Sequence, residues 1–214
     1  LNGQLSHQQD DDLEYSIEKL AQRVVRTNDK FKINSLSFVP VDETLEVHQI
    51  EFINTSDKVV ELEVITAFPF YSRSPENIFD HRHVTSLLND VKVLENGIVN
   101  KPTLSFDERG HQENLVNYSF FAFSDKTKAV KYLPVLDEFI NGGTNLYPKG
   151  LFEKGYQVGD TIKGYEAMGA IGFNKVIVKP NEPISFTLLM GIHEDYNLML
   201  EEVNKYKDTN YLEK

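Results

Sequence analysis

Val59-Val60-Glu61-Leu62-Glu63-Val64-Ile65-Thr66-Ala67-Phe68-Pro69-Phe70 is the stretch whose pattern sets the fold class. Val60, Leu62, Val64, Thr66 and Phe68 fall on one side of an extended chain, with Glu61 and Glu63 opposite. Period-two alternation of this kind belongs to a strand with one buried and one wet face, the usual situation in an antiparallel sheet. The chain before it reads the same way. Residues 31–39 set Phe31, Ile33, Ser35, Ser37 and Val39 against Lys32, Asn34, Leu36 and Phe38. The turn formers Pro40-Val41-Asp42-Glu43-Thr44 lead into a strand over residues 45–53, and Asn54-Thr55-Ser56-Asp57-Lys58 forms a hairpin-like connection back.

Downstream, residues 91–104 form a second β run. Asn96-Gly97, between Val91-Lys92-Val93-Leu94 and Ile98-Val99, is a strong hairpin signal. Residues 117–123 are an aromatic-rich strand. Residues 169–178 and 184–192 are the last two, separated by Lys179-Pro180-Asn181-Glu182-Pro183. Between residues 124 and 164 the pattern loosens. A short helix is expected within residues 133–140, and Gly142, Gly143, Gly150, Gly155 and Gly159 read as loop; an insertion like this is usually functional or mobile. Residues 13–24 carry Leu13, Ile17, Leu20, Ala21 and Val24 at helical spacing, yet the same stretch reads as an irregular strand running into Val24-Val25-Arg26-Thr27. At the other end Tyr196, Met199, Leu200, Val203 and Tyr206 or Lys207 make a helical stripe, with Asp195 placed to cap it. The resulting division is a frayed terminus over 1–14, a β-sandwich over 15–192 and a C-terminal helix over 193–214. The fold class is mainly β, an antiparallel sandwich with one or two peripheral helices.

Composition narrows the function. The 214 residues include 33 acidic against 22 basic side chains, for a net charge of −11. That balance argues against sequence-independent nucleic-acid binding, which needs clustered Lys and Arg, and against docking on anionic lipid. There is no cysteine, which removes disulfides, thiol nucleophiles and Cys-ligated zinc. No apolar run approaches the roughly 20 residues of a membrane span, and residues 1–12 lack the basic-then-apolar order of a signal peptide. A cytoplasmic protein is expected.

Three polar constellations stand out. Between two β runs, residues 71–89 hold Arg73, Asp80, His81, Arg82 and His83 on one connection, far more charge and imidazole than a turn requires. His81-x-His83 is one edge of a metal site, but no third ligand is identifiable, so no metal is expected. The second constellation is Ser105-Phe106-Asp107-Glu108-Arg109-Gly110-His111. Its adjacent carboxylates point apart, unlike the spaced pair of a glycosidase, and fit a hydrogen-bonding loop better. The third is Gly164-Tyr165-Glu166-Ala167-Met168-Gly169-Ala170-Ile171-Gly172-Phe173, whose glycines lack the strand-then-helix setting of a dinucleotide fingerprint. A glycine-rich strand instead admits another backbone or a flat ligand at close range.

Phe38-Val39-Pro40-Val41-Asp42, Leu45-Glu46-Val47, Ile53-Asn54-Thr55-Ser56-Asp57-Lys58 and Leu62-Glu63-Val64 resemble the N-terminal β-sandwich of inverting glycoside phosphorylases related to cellobiose phosphorylase. Tyr71-Ser72-Arg73-Ser74-Pro75-Glu76-Asn77, Asp80-His81-Arg82-His83-Val84-Thr85-Ser86-Leu87-Leu88 and residues 105–111 are most similar to the branch acting on β-1,2-linked glucans. The resemblance covers residues 15 to 206. It implies a supersandwich of the galactose-mutarotase-like kind, which in such enzymes precedes a linker and an (α/α)6 barrel. The barrel supplies the acid, inorganic phosphate attacks the anomeric carbon with inversion, and the sandwich helps to form a homodimer. This chain lacks the barrel, so phosphorolysis is not expected of it alone, and no cofactor is implied beyond phosphate as co-substrate.

Carried over as sugar- or interface-facing candidates are Arg73, Asp80, His81, Arg82, His83, Arg109 and His111, because guanidinium donors match phosphate and sugar oxygens while imidazoles and carboxylates bind hydroxyls. The expected partners are a β-glucan oligosaccharide, the barrel domain and a second copy. Two other readings remain. One is a structural or dimerising module without sugar binding. The other is a mutarotase-like epimerase, for which His81 or His83 with Glu166 is the one pairing on offer.

Overall fold

The computed structural model describes residues 11–72, 85–107, 110–144 and 147–208, the side chains of residues 105–107 excepted. A nine-stranded antiparallel sheet runs β1 (Asp12–Ile17), β2 (Ala21–Thr27), β3 (Phe31–Phe38), β4 (Leu45–Asn54), β16 (Pro183–His193), β11 (Asn117–Ser124), β8 (Gly97–Asn100), β7 (Asp90–Leu94) and β13 (Thr161–Lys163). Over one face lie a three-stranded sheet, β12 (Ala129–Val135), β14 (Ala167–Phe173) and β6 (Ile65–Pro69), and a ribbon of β15 (Val176–Val178) with β5 (Val60–Leu62). A separate hairpin joins β9 (Leu104–Asp107) to β10 (Gly110–Glu113). Two α-helices occur among the described residues, α1 (Leu136–Ile140) and α2 (Tyr196–Tyr206). The class is therefore mainly β and antiparallel, as the alternation predicts. No helix among the described residues is long and apolar enough to cross a membrane.

Period-two side chains sort into layers. Val91, Val93, Ile98, Phe120, Ile184 and Phe186 from the large sheet meet Tyr132, Val135, Ile171 and Phe173 from the small one in the main core. The alternate residues Val47, Val99, Phe121 and Leu189 point the other way and are covered by Met199, Val203 and Tyr206 of α2. On the outside of the small sheet, Leu133, Met168 and Ala170 are covered by Phe139 of α1. Strand β14 is buried along its whole length because both of its faces are covered. Helix α2 starts where its sequence signal lies: the Asp195 carboxylate accepts from the backbone N–H of Asn197 at 2.7 Å and of Leu198 at 3.1 Å.

One open alternative closes and three expectations shift. Of the two readings of residues 13–24 the strand holds: they form the β1–β2 hairpin, with Tyr15 opposite Val24. Strand β1 begins at Asp12, inside the segment 1–14 expected to fray. Residues 59–70 are two strands in two sheets, since their partner run is broken as well, between Phe173 and Val176, and the Val64 carbonyl takes the Phe173 N–H at 3.0 Å at the break. The hairpin at Asn96-Gly97 exists, but Leu94 pairs with Gly97, so Glu95 and Asn96 make the turn and Asn96 alone of that pair takes a left-handed φ of 59°. Gly97 is already strand. A Cβ there would stand 2.2 Å from the Phe121 ring, so the missing side chain is what lets the ring lie on the backbone.

Candidate functional site

The three constellations, 71–89, 105–111 and 164–173, are anchored at one corner of the sandwich. The arm of residues 71–89 leaves after Ser72 and returns at Asn89, and these ends are tied together by buried amides. Asn100, fully buried at the end of β8, donates through Nδ2 to Ser72 Oγ at 2.7 Å and to Asn89 Oδ1 at 2.8 Å. The Ser72 hydroxyl also donates to Asn89 Oδ1 at 3.1 Å. Asn89 Nδ2 passes the connection on to the Tyr165 carbonyl at 2.9 Å, and the Asn89 carbonyl takes the Gly164 N–H at 3.0 Å. The second constellation grows from the same place, since Thr103 N–H donates to Leu88 O at 2.8 Å and Asn114 N–H to Thr103 O at 3.2 Å. Buried polar groups are mostly satisfied internally, and the bonds of Asn89 and of Asn100 Nδ2 join three segments far apart in sequence, while Asn100 Oδ1 is buried without a partner.

Of the residues named from sequence, Arg73, Asp80, His81, Arg82, His83 and Arg109 lie outside the described residues. His111 is exposed on β10, its backbone paired with Phe106. Glu166 is half-buried just before β14, and its carbonyl takes the Leu136 N–H at 2.8 Å, so the third constellation also seats the start of α1. The glycine-rich strand does admit something at close range, and it is the protein's own Phe120: a Cβ on Gly169 would be 2.9 Å from that ring. Asp90 Oδ2 pairs with Lys163 Nζ at 3.0 Å beside the corner, and Asp90 Oδ1 is buried without a hydrogen-bond partner. Among the described residues no three His, Asp or Glu side chains are grouped to hold a metal ion. Ser72, Asn89 and Asn100 were not singled out from sequence. The one signal is an amide at Asn100 closing the apolar pair Ile98-Val99 inside a strand.

A family model described as "Glycosyl hydrolase 94, supersandwich domain" matches residues 6–209. A bacterial glucoamylase complexed with acarbose has a TM-score of 0.52 at 8% identity, over 99% of this chain and 28% of its own. A polysaccharide lyase is similar over 90% of this chain and 24% of its own, with TM-score 0.47 and 11% identity. Heparinase III is similar over 87% and 22%, with TM-score 0.43 and 12% identity. The chain thus spans about a quarter of the length of these solved proteins, and at such identities the likeness is one of fold. No curated protein matches the chain.

Proposed function

Because the chain belongs to the glycosyl hydrolase 94 supersandwich domain family, we propose that it is the carbohydrate-associated domain of a glycoside phosphorylase acting on β-linked glucans, with β-1,2-linked chains as the preferred substrate. The observation that supports this most directly is the joint anchoring of the Arg- and His-bearing arm, the 105–111 loop and the Glu166 segment at one corner, held by Asn89 and Asn100. An arm kept only as a turn has no need of a buried amide clamp at its base. In the parent reaction an oxygen of inorganic phosphate bonds to the anomeric carbon, the glycosidic bond breaks, and an acid of an (α/α)6 barrel protonates the departing oxygen. In this reading Arg73, Arg82, Arg109, Asp80, His81, His83 and His111 are the residues that contact sugar, phosphate or the barrel, and the domain does no chemistry alone. We place the parent enzyme in the cytoplasm, as a homodimer.

The test is an assay of the full-length protein that carries this domain, on β-1,2-gluco-oligosaccharides with and without phosphate. Phosphate-dependent release of a sugar 1-phosphate is expected from that protein and none from residues 1–214 alone. Hydrolysis indifferent to phosphate would sink the reading. A second reading, a dimerisation module, is favoured by one feature: β1 has a single strand neighbour among the described residues, and its Leu13, Tyr15 and Ile17 are all more than half exposed.

A further inference from the structure

The insertion between β12 and β13, which the sequence leaves as a glycine-punctuated loop, closes into a shaped cleft. The end of β12, helix α1 and the return through Glu153, Gly155 and Tyr156, which follows a 3-10 turn over Lys149–Phe152, frame a cavity of about 380 Å3 lined by Leu133, Glu138, Asn141, Glu153, Gly155 and Tyr156. Its floor is fixed to the small sheet. The Tyr156 N–H donates to the Tyr132 carbonyl at 2.8 Å, and Gly155, at a left-handed φ of 64°, lies where a Cβ would be 2.8 Å from that same carbonyl. Its polar groups are set in pairs. Tyr156 Oη donates to Glu138 Oε1 at 2.9 Å, and Asn141 Nδ2 to Glu153 Oε1 at 3.2 Å. Burial first, then the hydrogen bond and charge of Glu138, push the Tyr156 phenol up to about 12, so it stays a neutral donor. The cleft adjoins the corner described above, since α1 begins on the Glu166 carbonyl.

Two carboxylates, with Asp160 acting on Tyr156 from nearby, repel phosphate and acidic sugars. A metal ion is poorly served, because each carboxylate already accepts an internal donor and no third acidic or histidine ligand joins them among the described residues. Leu133 is the one large aliphatic side chain of the lining. A neutral, hydroxyl-rich molecule matches its mixed donors and acceptors. Carboxylate lone pairs accept its O–H groups, Asn141 supplies both donor and acceptor, and the Tyr156 oxygen, its proton given to Glu138, accepts.

We propose that this cleft binds a pyranose ring of a neutral oligosaccharide, as a subsite distinct from the arm of residues 71–89. That the sugar is a β-linked glucan rests on the function proposed above; that it is neutral and polyhydroxylated rests on the cleft alone. The test follows backbone amide shifts of the 214-residue chain titrated with a β-1,2-linked glucose trimer to roughly 10 mM, a range suited to millimolar affinity. Saturable shifts are expected at Asn141, Gly155 and Tyr156. Glu153→Ala, at an exposed position of the lining, is expected to weaken binding by roughly five-fold with the rest of the spectrum unchanged. Shifts confined to residues 85–89 and 110–113 would overturn the subsite while leaving the phosphorylase reading intact. Absence of any shift would also overturn it, and so would a response to calcium chloride without one to the sugar. Binding at the cleft by a protein whose full-length form makes no sugar 1-phosphate would uphold the subsite and remove the phosphorylase.

Discussion

At the scale of single residues, several positions are set by contacts across the sheet rather than by local conformation. Gly97 carries no positive φ; its lack of a Cβ makes room for Phe121, its cross-strand partner. Gly97→Ala is therefore expected to destabilise by about 2 kcal/mol, the scale of an overpacked core. Adding Phe121→Ala should cost less in that background than in the wild type, a coupling that denaturant melts of the four proteins would reveal. Asn100 is the matching polar case. Asn100→Ala takes the buried donor from Ser72 Oγ and leaves Asn89 Oδ1 with the Ser72 hydroxyl alone, at a cost of about 1–3 kcal/mol. Faster amide exchange at Asn89 and Asp90 than elsewhere in β7 is the expected sign that the arm's base has loosened. The sequence presents both residues plainly, but Asn89 lies 11 and Ser72 28 positions from Asn100, and Phe121 lies on another strand from Gly97, which a local reading does not reach.

At the scale of elements, α2 shows how a legible helix acquires its place. Its apolar stripe and Asp195 cap are local and were readable. Its docking depends on distant groups as well. Past its midpoint Glu202 meets His193, at the end of β16, at 2.7 Å, both buried. At its far end Glu43, from the β3–β4 turn, accepts from Lys205 and, at 3.2 Å, from Tyr206 Oη. The Lys205 hydrogen bond, followed by that of Tyr206, outweighs burial and holds the Glu43 carboxyl below its ordinary value of 4.5. A carboxyl lowered in the folded state adds stability that is fully present above 4.5 and is lost as pH falls through the lower folded value. Melting temperatures of the wild type and Glu43→Gln should thus differ by a constant amount above about pH 6 and converge on acidification below about pH 4. A difference that grows in acid would show that the carboxylate is not what secures the helix.

At the scale of the whole molecule, the layers run from α2 through the large sheet and the small sheets to α1, and two regions face outward with apolar or polar intent. One is the cleft over α1. The other is β1, whose free edge and exposed Leu13, Tyr15 and Ile17 are the kind of strand that pairs with another chain unless charge blocks it. Tyr15→Lys is expected to shift a sedimenting dimer to monomer with no change in the melting curve of the monomer; an unchanged sedimentation profile would place the dimer contact elsewhere. The sequence by itself determined the strand-rich class, the C-terminal helix with its cap, the hairpin near Asn96 and the family, because alternation, capping and turn chemistry are properties of neighbouring residues. Only the tertiary structure decided that residues 59–70 divide between two sheets, that residues 13–24 pair as a hairpin, and that three separate polar segments are rooted at one corner. Those outcomes depend on which distant backbone groups and rings meet, and such pairings are fixed by the satisfaction of buried hydrogen bonds and by close packing across the layers.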